Sequence, residues 1–487
     1  MSVRRSLFIQ FLNSYSAAGI SFVSIIILAR LLTPQEIGIF SVCMAFVGFL
    51  HTLRDFGIGA YLLQERNLDA EILRSAYGLA LLFGWTAAAV LALSSGLVAD
   101  FFNEPGVRSV TLVLAVNFLL IPLGSLAIPL LKRDMHFVSI MKINVAVSFA
   151  YAVSTILFAL LGAGYMSMAW GTLVSTVVNV AGSLAARRDL IGIRPSLRYA
   201  RRIISFGAYS VGSNFIVAFG PNGTEIVIGR MLGLSAVALL GKGRSLITLF
   251  QQAIMAFIMP VAGAMFARQS RDGSDVGKSF LQVIGYLTAI GWPSYIFMGF
   301  MAFPIIDILF GDQWYAAVPV AQIFCVAYSI ALLHSMNNMT MEACGHARAA
   351  FRYQIILYPP TVLLVIAAAP FGLVAVAGTT IISATAGLIL SYMFLGKVIN
   401  IRAGQVARAV RKSALVAAIT SVPPAAVYFW GGIGPGNTVI PLLAAAVMTG
   451  LVWLAAVFAT DHEIKQEILR LMRSIIEQMR RVVGSAA

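Results

Sequence analysis

Long apolar segments, separated by short polar turns, make up most of the chain and determine its predicted architecture. A helix of about 20 apolar residues crosses a hydrocarbon layer about 30 Å thick. Fourteen segments reach that length. We therefore predict transmembrane helices near residues 8–31, 35–62, 72–97, 107–131, 137–161, 164–186, 208–232, 236–266, 278–303, 314–341, 350–369, 371–397, 407–431 and 437–459.

The clearest local pattern is a helical hairpin, in which one apolar helix ends at Arg30 and a second begins after Thr33. Thr33 and Glu36 have the spacing of a capping box, and the proline between them suits the first helical position. Residues 226–233 repeat the turn two hundred positions later, with Ser235 as the predicted N-cap. Such repeats occur in many transporters.

Composition agrees with a polytopic, all-α membrane protein. Hydrophobic residues make up 60% of the 487 positions, charged residues 11%, and the mean hydropathy is +0.90. A soluble chain has roughly 25% charged residues. The three cysteines lie in or at the ends of apolar segments, which predicts packing roles and neither a disulfide framework nor a metal cluster.

The net charge of +15 raises nucleic acid as a partner, but the distribution of the basic residues argues against it. Lys and Arg concentrate at the N-terminus, after even-numbered spans and in the tail. The exceptions are Arg30, Arg108, Arg230, Lys242 and Arg244. The positive-inside rule then places both termini in the cytoplasm, and we expect no nucleic-acid partner.

A strongly basic segment between the sixth and seventh spans divides the chain. We predict an N-terminal lobe at 1–186, a cytoplasmic basic linker at 187–206, a C-terminal lobe at 207–399, two further spans at 400–459 and an amphipathic cytoplasmic tail helix at 460–487. The linker pattern favours a helix on the membrane surface, with binding of anionic lipid or an acidic partner as the alternative. Thr460 and Glu463 predict a capping box in the tail.

The sequence lacks the signatures of ATP-driven or catalytic chemistry. Gly241, Lys242 and Gly243 resemble the end of a phosphate-binding loop, but Ala236 stands where its first glycine is required. The histidines lack metal-ligand spacing, and no carboxylate pair within the spans suggests acid–base catalysis. We therefore expect a protein that is not an enzyme and that uses no metal or other cofactor.

Lys242 and Arg244 are the strongest candidates for a binding site. Counted from Ser235, they lie about 10 and 14 Å into the membrane, where a charge requires a wet cavity or a partner. A cationic site for an anionic substrate is one interpretation. Neutralisation by Glu225 is the other, although one carboxylate cannot neutralise two bases.

Further polar groups lie in the second and seventh spans. Pro221, between two glycines, predicts either a helix break that exposes backbone dipoles or an ordinary kink. Polar candidates in the same span are Asn214, Asn222 and Glu225. In the second span, His51, Arg54 and Asp55 lie near the inner boundary, where Arg54 either reaches the interface or pairs with Asp55.

The segments ARLLTPQEIGIFSV, RDFGIGAYLLQ and IVIGRMLG resemble those of polysaccharide flippases in the multidrug/oligosaccharidyl-lipid/polysaccharide exporter superfamily. This resemblance implies two six-helix lobes around a central cavity, a final helix pair and alternating access. It also implies that Arg54, Lys242 and Arg244 bind a pyrophosphate and that Glu225 is an acidic cavity residue. Ala238 departs from the glycine usual in the second hairpin.

The implied function is translocation of undecaprenyl-pyrophosphate-linked oligosaccharides to the periplasmic leaflet of the bacterial inner membrane. Expected partners are this substrate, membrane lipids and the polysaccharide polymerase machinery. The membrane potential or a Na⁺ or H⁺ gradient would supply the energy, with Glu225 as the coupling carboxylate. The alternatives are a multidrug exporter of organic cations, a flippase for peptidoglycan lipid precursors, and a scaffold for a polymerase assembly.

Overall fold

The computed structural model describes residues 18–470, except for the side chains at 208–211, 213, 214, 253, 256, 257 and 260. Within that range the chain is helical and contains no β-strand. The helices are α1 (Ala18–Leu31), α2 (Pro34–Asp55), α3 (Ile58–Gln64), α4 (Ala70–Phe102), α5 (Pro105–Gly124), α6 (Ala127–Arg133), α7 (Phe137–Leu160), α8 (Met166–Ala186), α9 (Ala200–Met231), α10 (Leu234–Arg271), α11 (Val276–Phe300), α12 (Ala302–Leu309), α13 (Val318–Leu332), α14 (Asn337–Ala343), α15 (Ala347–Ala368), α16 (Leu373–Ile399), α17 (Ala403–Thr420), α18 (Val422–Trp430) and α19 (Val439–Ala459).

Eleven segments, each a single helix or helices joined across a short break, are long and apolar enough to cross a membrane. Three helices, α1, α9 and α10, lie at the other three predicted positions. The prediction of an all-helical, polytopic membrane protein is therefore confirmed. The count of fourteen spans stays a prediction.

The first hairpin has the predicted cap. Thr33 Oγ1 accepts a hydrogen bond from Glu36 N at 3.3 Å, and Glu36 Oε2 accepts one from Thr33 N at 2.8 Å. The two hairpins meet at Gly38, where a Cβ would lie 2.0 Å from the Leu234 carbonyl oxygen. A side chain at Gly38 would therefore separate the two turns.

The predicted cap of the second hairpin is wrong. Helix α10 begins at Leu234, so Ser235 lies inside its first turn. Gly233, with φ of +91°, makes the preceding turn in the left-handed region. Because glycine enters this region without steric cost, the helix begins two residues earlier than an N-cap at Ser235 would place it.

The basic linker is only partly helical, since its last residues, 200–206, form the start of α9. After a short 3₁₀ turn at Arg188–Leu190, residues 193–197 are irregular and pack along the start of α4. Ser196 N donates to Arg74 O at 3.1 Å, and a Cβ at Gly78 would lie 2.2 Å from Ser196 O. Around Ser196 the linker backbone thus packs against α4 and is not part of a helix.

Ion pairs attach the linker and the start of α9 to neighbouring elements. Arg187 bridges Asp134 and Asp189, with nitrogen–oxygen distances of 2.7 and 2.8 Å. Arg202 pairs with Glu65 at 2.7 Å. The guanidinium of Arg187 lowers the pKa of Asp189 below its ordinary value.

The capping box predicted at Thr460 is absent. Thr460 ends α19, and its hydroxyl donates to Ala456 O at 2.8 Å. His462 provides the alternative cap, since its Nδ1 accepts from Ile464 N at 3.2 Å. Residues 464–470 are helical, and the remainder of the predicted tail helix lies outside the described residues.

The chain forms two compact units. The first contains Met1–Ala238 and Tyr358–Pro370, and the second contains Leu239–Leu357 and Phe371–Ala487. Helix α9 belongs to the first unit and packs on both α2 and the C-terminal half of α15. The predicted lobe boundaries stay predictions.

Candidate functional site

A break after α2 positions the first group of candidate residues. Phe56 and Gly57 have φ angles of +29° and +69°, which end α2 and start the short helix α3 in a new direction. A Cβ at Gly57 would lie 2.8 Å from the Cα of Gly207 in α9, so this position has no room for a side chain. The break leaves the last turn of α2, with its arginine, inside the first unit.

Arg54 is largely buried in that last turn. Its side chain is 13% exposed, and Nε donates to Asp55 Oδ1 at 2.9 Å. Nη2 contacts the same carboxylate oxygen. Since the Asp55 side chain is 67% exposed, water screens its charge and weakens the pair. A cation here also interacts favourably with the C-terminal end of the α2 dipole.

The cavity beside Arg54 has a volume of about 620 Å³ and lies within the first unit. Helices α2 to α8 all contribute to its wall. The polar side chains of the wall are His51, Arg54, Asp55, Ser125, Ser175, Thr176 and Asn179.

The guanidinium of Arg54 retains hydrogen-bonding capacity at this cavity. Its central carbon lies 5.7 Å from the ring centroid of Phe118, which also packs 4.8 Å from the ring of His51. Arg54 Nη1 is buried and has no hydrogen-bond partner within the described residues. A buried donor without an acceptor is costly, and because Nη1 has almost no accessible surface, the guanidinium must turn toward the cavity before an anionic oxygen there can satisfy it. This arrangement suits an anion.

Lys242 has quite different surroundings in the second unit. The residue is 8% exposed, and its ammonium lies 4.9 Å from the ring centroid of Phe310 and 5.2 Å from that of Trp314. Both rings are themselves buried. Cations are attracted to aromatic faces, so this pocket stabilises the charge within the fold. Two residues further along α10, about half a turn, Arg244 is half-buried.

The candidates of the seventh span lie on a continuous helix. Helix α9 runs unbroken through Pro221, which agrees with an ordinary kink and not with a helix break. A Cβ at Gly48 of α2 would lie 2.7 Å from Nδ2 of Asn222, so Asn222 packs α9 against α2. Glu225 is half-buried, and the side chain of Asn214 lies outside the described residues.

The two glycines beside Pro221 have a packing role. A Cβ at Gly220 would lie 2.9 Å from a ring carbon of Tyr358, and one at Gly223 would lie 3.2 Å from Val362. Both partners belong to the part of α15 in the first unit. Close approach of α15 therefore accounts for these glycines.

The structure thus brings His51, Arg54 and Asp55 together at one cavity. Sequence reasoning did not single out the serine, threonine and asparagine residues of its wall. The available signal was weak, because Ser and Thr commonly bond to their own helix. Thr176 does so here, donating to Thr172 O at 2.9 Å.

Comparison with models of known protein families identifies the family of this chain. The family model for polysaccharide biosynthesis proteins matches residues 27–319, more than half of the chain. The chain belongs to this family. The matched region of this polysaccharide biosynthesis protein includes both hairpins and the Arg54 cavity.

Three curated relatives also take part in polysaccharide biosynthesis by name. Teichuronic acid biosynthesis protein TuaB of Bacillus subtilis is 25% identical, over 68% of this chain and 69% of its own. Lipopolysaccharide biosynthesis protein WzxC of Escherichia coli is 23% identical, over 66% of this chain and 65% of its own. Succinoglycan biosynthesis transport protein ExoT of Rhizobium meliloti is 26% identical, over 73% and 72%.

Solved structures confirm the fold. The lipid II flippase MurJ, in an inward closed conformation, aligns with a TM-score of 0.73 at 11% identity, over 92% of this chain and 98% of its own. An inward-facing multidrug resistance transporter of the MATE family aligns at 0.57 and 14% identity, over 83% and 97%. The polysaccharide biosynthesis protein therefore has the fold of the superfamily that the hairpin motifs indicated.

Proposed function

We propose that the protein is a flippase that moves undecaprenyl-pyrophosphate-linked oligosaccharide repeat units from the cytoplasmic to the periplasmic leaflet for polysaccharide export. Family membership supports a role in polysaccharide biosynthesis, and ExoT is named as a transport protein. The observation that carries the proposal is a polar cavity inside a membrane-spanning bundle, beside a buried arginine.

The chemistry of this substrate fits the cavity. A lipid-linked oligosaccharide has an anionic pyrophosphate, a polar glycan that hydrocarbon excludes, and an apolar tail that stays in lipid. Arg54 donates from Nη1 to a phosphate oxygen, while the hydroxyl and amide groups of the wall bond to the glycan. A volume of about 620 Å³ lies within the range of about 300–1,000 Å³ typical of ligand pockets.

In this proposal the energy comes from the membrane. Each negative charge that moves outward across an inside-negative membrane gains about 2.3 kcal/mol per 100 mV. Coupling to Na⁺ or H⁺ would add to this, with Glu225 as the carboxylate that binds the ion. The protein would lie in the bacterial inner membrane with both termini in the cytoplasm, next to the polymerase machinery.

Lys242 and Arg244 stay predicted contacts for the pyrophosphate. The aromatic surroundings of Lys242 support a stabilising role instead, and the variants described below distinguish the two roles.

Reconstitution tests the function. Purified protein in liposomes is supplied with a fluorescent undecaprenyl-pyrophosphate oligosaccharide, with lipid II, or with an organic cation dye, and transfer between leaflets or uptake is followed. We expect transfer of the oligosaccharide, accelerated when the receiving side is positive. Transport of the dye alone would assign the protein to multidrug export, transfer of lipid II alone to peptidoglycan synthesis, and no transport at all to a scaffold.

A further inference from the structure

A second polar cavity lies in the second unit, where α11 and α17 begin. The two helices run parallel and side by side. Near the start of α11, a Cβ at Gly277 would lie 3.2 Å from O of Ile399, the last residue of α16, just before the turn that leads into α17. Three turns further, Thr288 Oγ1 donates to Ser413 Oγ at 2.9 Å. The N-terminal turns of both helices therefore meet at the same end of the bundle.

The start of the tail packs against this end. Lys412 Nζ donates to Asp461 O at 2.7 Å, and Ser413 Oγ lies 3.0 Å from His462 Nε2. His462 is buried, and Ile464 joins the apolar core formed with α17 and α19. These contacts fix the tail as one wall of the cavity.

The cavity has a volume of about 700 Å³ and a strongly basic wall. Its basic residues are Lys278, Arg408, Arg411 and Lys412, and its carboxylate is Glu463. None of the ion pairs within residues 18–470 involves these four bases. Neutral donors are also present, since Gln282, Gln405 and Tyr286 line the same wall.

The four positive charges outnumber the one carboxylate of the wall, so their mutual repulsion favours binding of an anion between them. The N-terminal end of α17 adds partial positive charge at the same place, whereas that of α11 is capped by the Asp275 carboxylate, which accepts from Lys278 N at 3.2 Å. Both helices enter the membrane from here, so the cavity lies at the level of lipid headgroups. The positive-inside rule predicts that this is the cytoplasmic side, where basic pockets between spans bind anionic headgroups.

We propose that this pocket binds the phosphate headgroup of an anionic phospholipid. Arg408 and Arg411 bind the phosphate oxygens, and Lys278 and Lys412 help to neutralise its negative charge. The glutamines form hydrogen bonds with the headgroup hydroxyls. The ligand is thereby held against α11, α17 and the tail, so binding stabilises their association.

The test compares lipid binding by the full chain and two double variants. Arg408→Gln with Arg411→Gln removes two charges from the cavity. Arg271→Gln with Arg348→Gln removes two charges from exposed positions of the same unit that do not line it. Cardiolipin or phosphatidylglycerol is added to delipidated protein in detergent, with phosphatidylcholine as the neutral lipid. Bound lipid is counted by native mass spectrometry, and the unfolding temperature is recorded.

We expect anionic lipid to bind and to raise the unfolding temperature of the wild type and the Arg271/Arg348 control. The Arg408/Arg411 variant should bind at least about tenfold more weakly, which corresponds to about 1.4 kcal/mol. Equal binding by both double variants would overturn the proposal.

A second experiment with water-soluble phosphates distinguishes a lipid headgroup from a free phosphate. If inorganic phosphate or glycerol 3-phosphate at millimolar concentration produces the same stabilisation, the pocket takes a free phosphate and the lipid assignment fails. If the double variant does not fold, Lys278→Gln is measured in its place. It should weaken lipid binding severalfold, and unchanged binding would again overturn the proposal.

Discussion

Two basic side chains inside the bundles, Arg54 and Lys242, have opposite surroundings. Arg54 is 13% exposed, borders a cavity of about 620 Å³ and has a buried nitrogen without an acceptor in the described residues. Lys242 is 8% exposed and lies over the faces of Phe310 and Trp314. One arrangement offers a hydrogen-bond donor to a ligand, whereas the other satisfies a cation within the fold.

This difference shows that the depth of a charged residue in the membrane does not by itself reveal whether the residue binds substrate. A charge in the middle of a span requires compensation, and sequence spacing reports that requirement. It does not report whether the compensation comes from a substrate or from aromatic rings. We therefore expect substitutions at Arg54 to affect transport and substitutions at Lys242 to affect stability.

The largest effect is expected for Arg54→Gln. A hydrogen bond to a charged group contributes about 1.5–3 kcal/mol, so transport should fall about 10- to 150-fold. Arg54→Lys should recover only part of the activity, because lysine lacks the planar fork that binds a phosphate. The measurement is the initial rate of oligosaccharide transfer per folded molecule in liposomes.

Asp55→Asn is the matched control for Arg54→Gln. It breaks the same ion pair but leaves the guanidinium in place. We expect a change in transport of less than about threefold, since the Asp55 carboxylate is exposed and a pair screened by water contributes about 0–1 kcal/mol. Equal losses in Arg54→Gln and Asp55→Asn would mean that Arg54 acts only through Asp55.

Lys242→Ala is expected to reduce stability. It removes the cation–π contacts, which contribute about 0.5–2 kcal/mol, together with the packing of a buried stem. The unfolding temperature in detergent should fall by several degrees, while transport per folded molecule stays within about twofold. Lys242→Met refills the pocket without a charge and should recover the stability.

The methionine variant also distinguishes packing from substrate binding. A Lys242→Met protein that folds normally but does not transport would show that the ammonium contacts the substrate. That outcome would remove the contrast with Arg54 and favour a cationic site shared by both residues.

A smaller effect is expected from the wall of the Arg54 cavity. Thr176→Val removes a hydroxyl that lines it, and Thr172→Val removes a hydroxyl one turn earlier on α8, outside the lining. We expect a two- to threefold lower transport rate, about 0.5 kcal/mol, for the first and no change for the second. Identical rates for both variants would show that the cavity wall does not contact the glycan.

The features that depend on local sequence were predictable. Span positions follow from runs of apolar residues, and the Thr33–Glu36 cap requires only two residues at fixed spacing. The incorrect predictions also concern helix ends. Gly233, in the left-handed region, makes the turn before α10 in place of the expected cap at Ser235. The imidazole of His462 accepts a backbone hydrogen bond from Ile464 N, in place of the cap expected at Thr460.

The cavity could not be predicted because it depends on tertiary packing. Asn179 and Arg54 are far apart in sequence, and tertiary packing brings them to one cavity beside the break that ends α2. Similarly, the pocket of Lys242 is made by Phe310 and Trp314 from a turn between spans. Sequence reasoning identified the charged residues but not their neighbours.

Direct binding of undecaprenyl pyrophosphate to the purified protein tests the central claim, and native mass spectrometry at graded ligand concentrations gives the dissociation constants. We predict that Arg54→Gln raises the dissociation constant at least about tenfold. The dissociation constant of the Lys242→Met variant should stay within about twofold of the wild-type value. Unchanged binding by Arg54→Gln, with lost binding by Lys242→Met, would contradict the account.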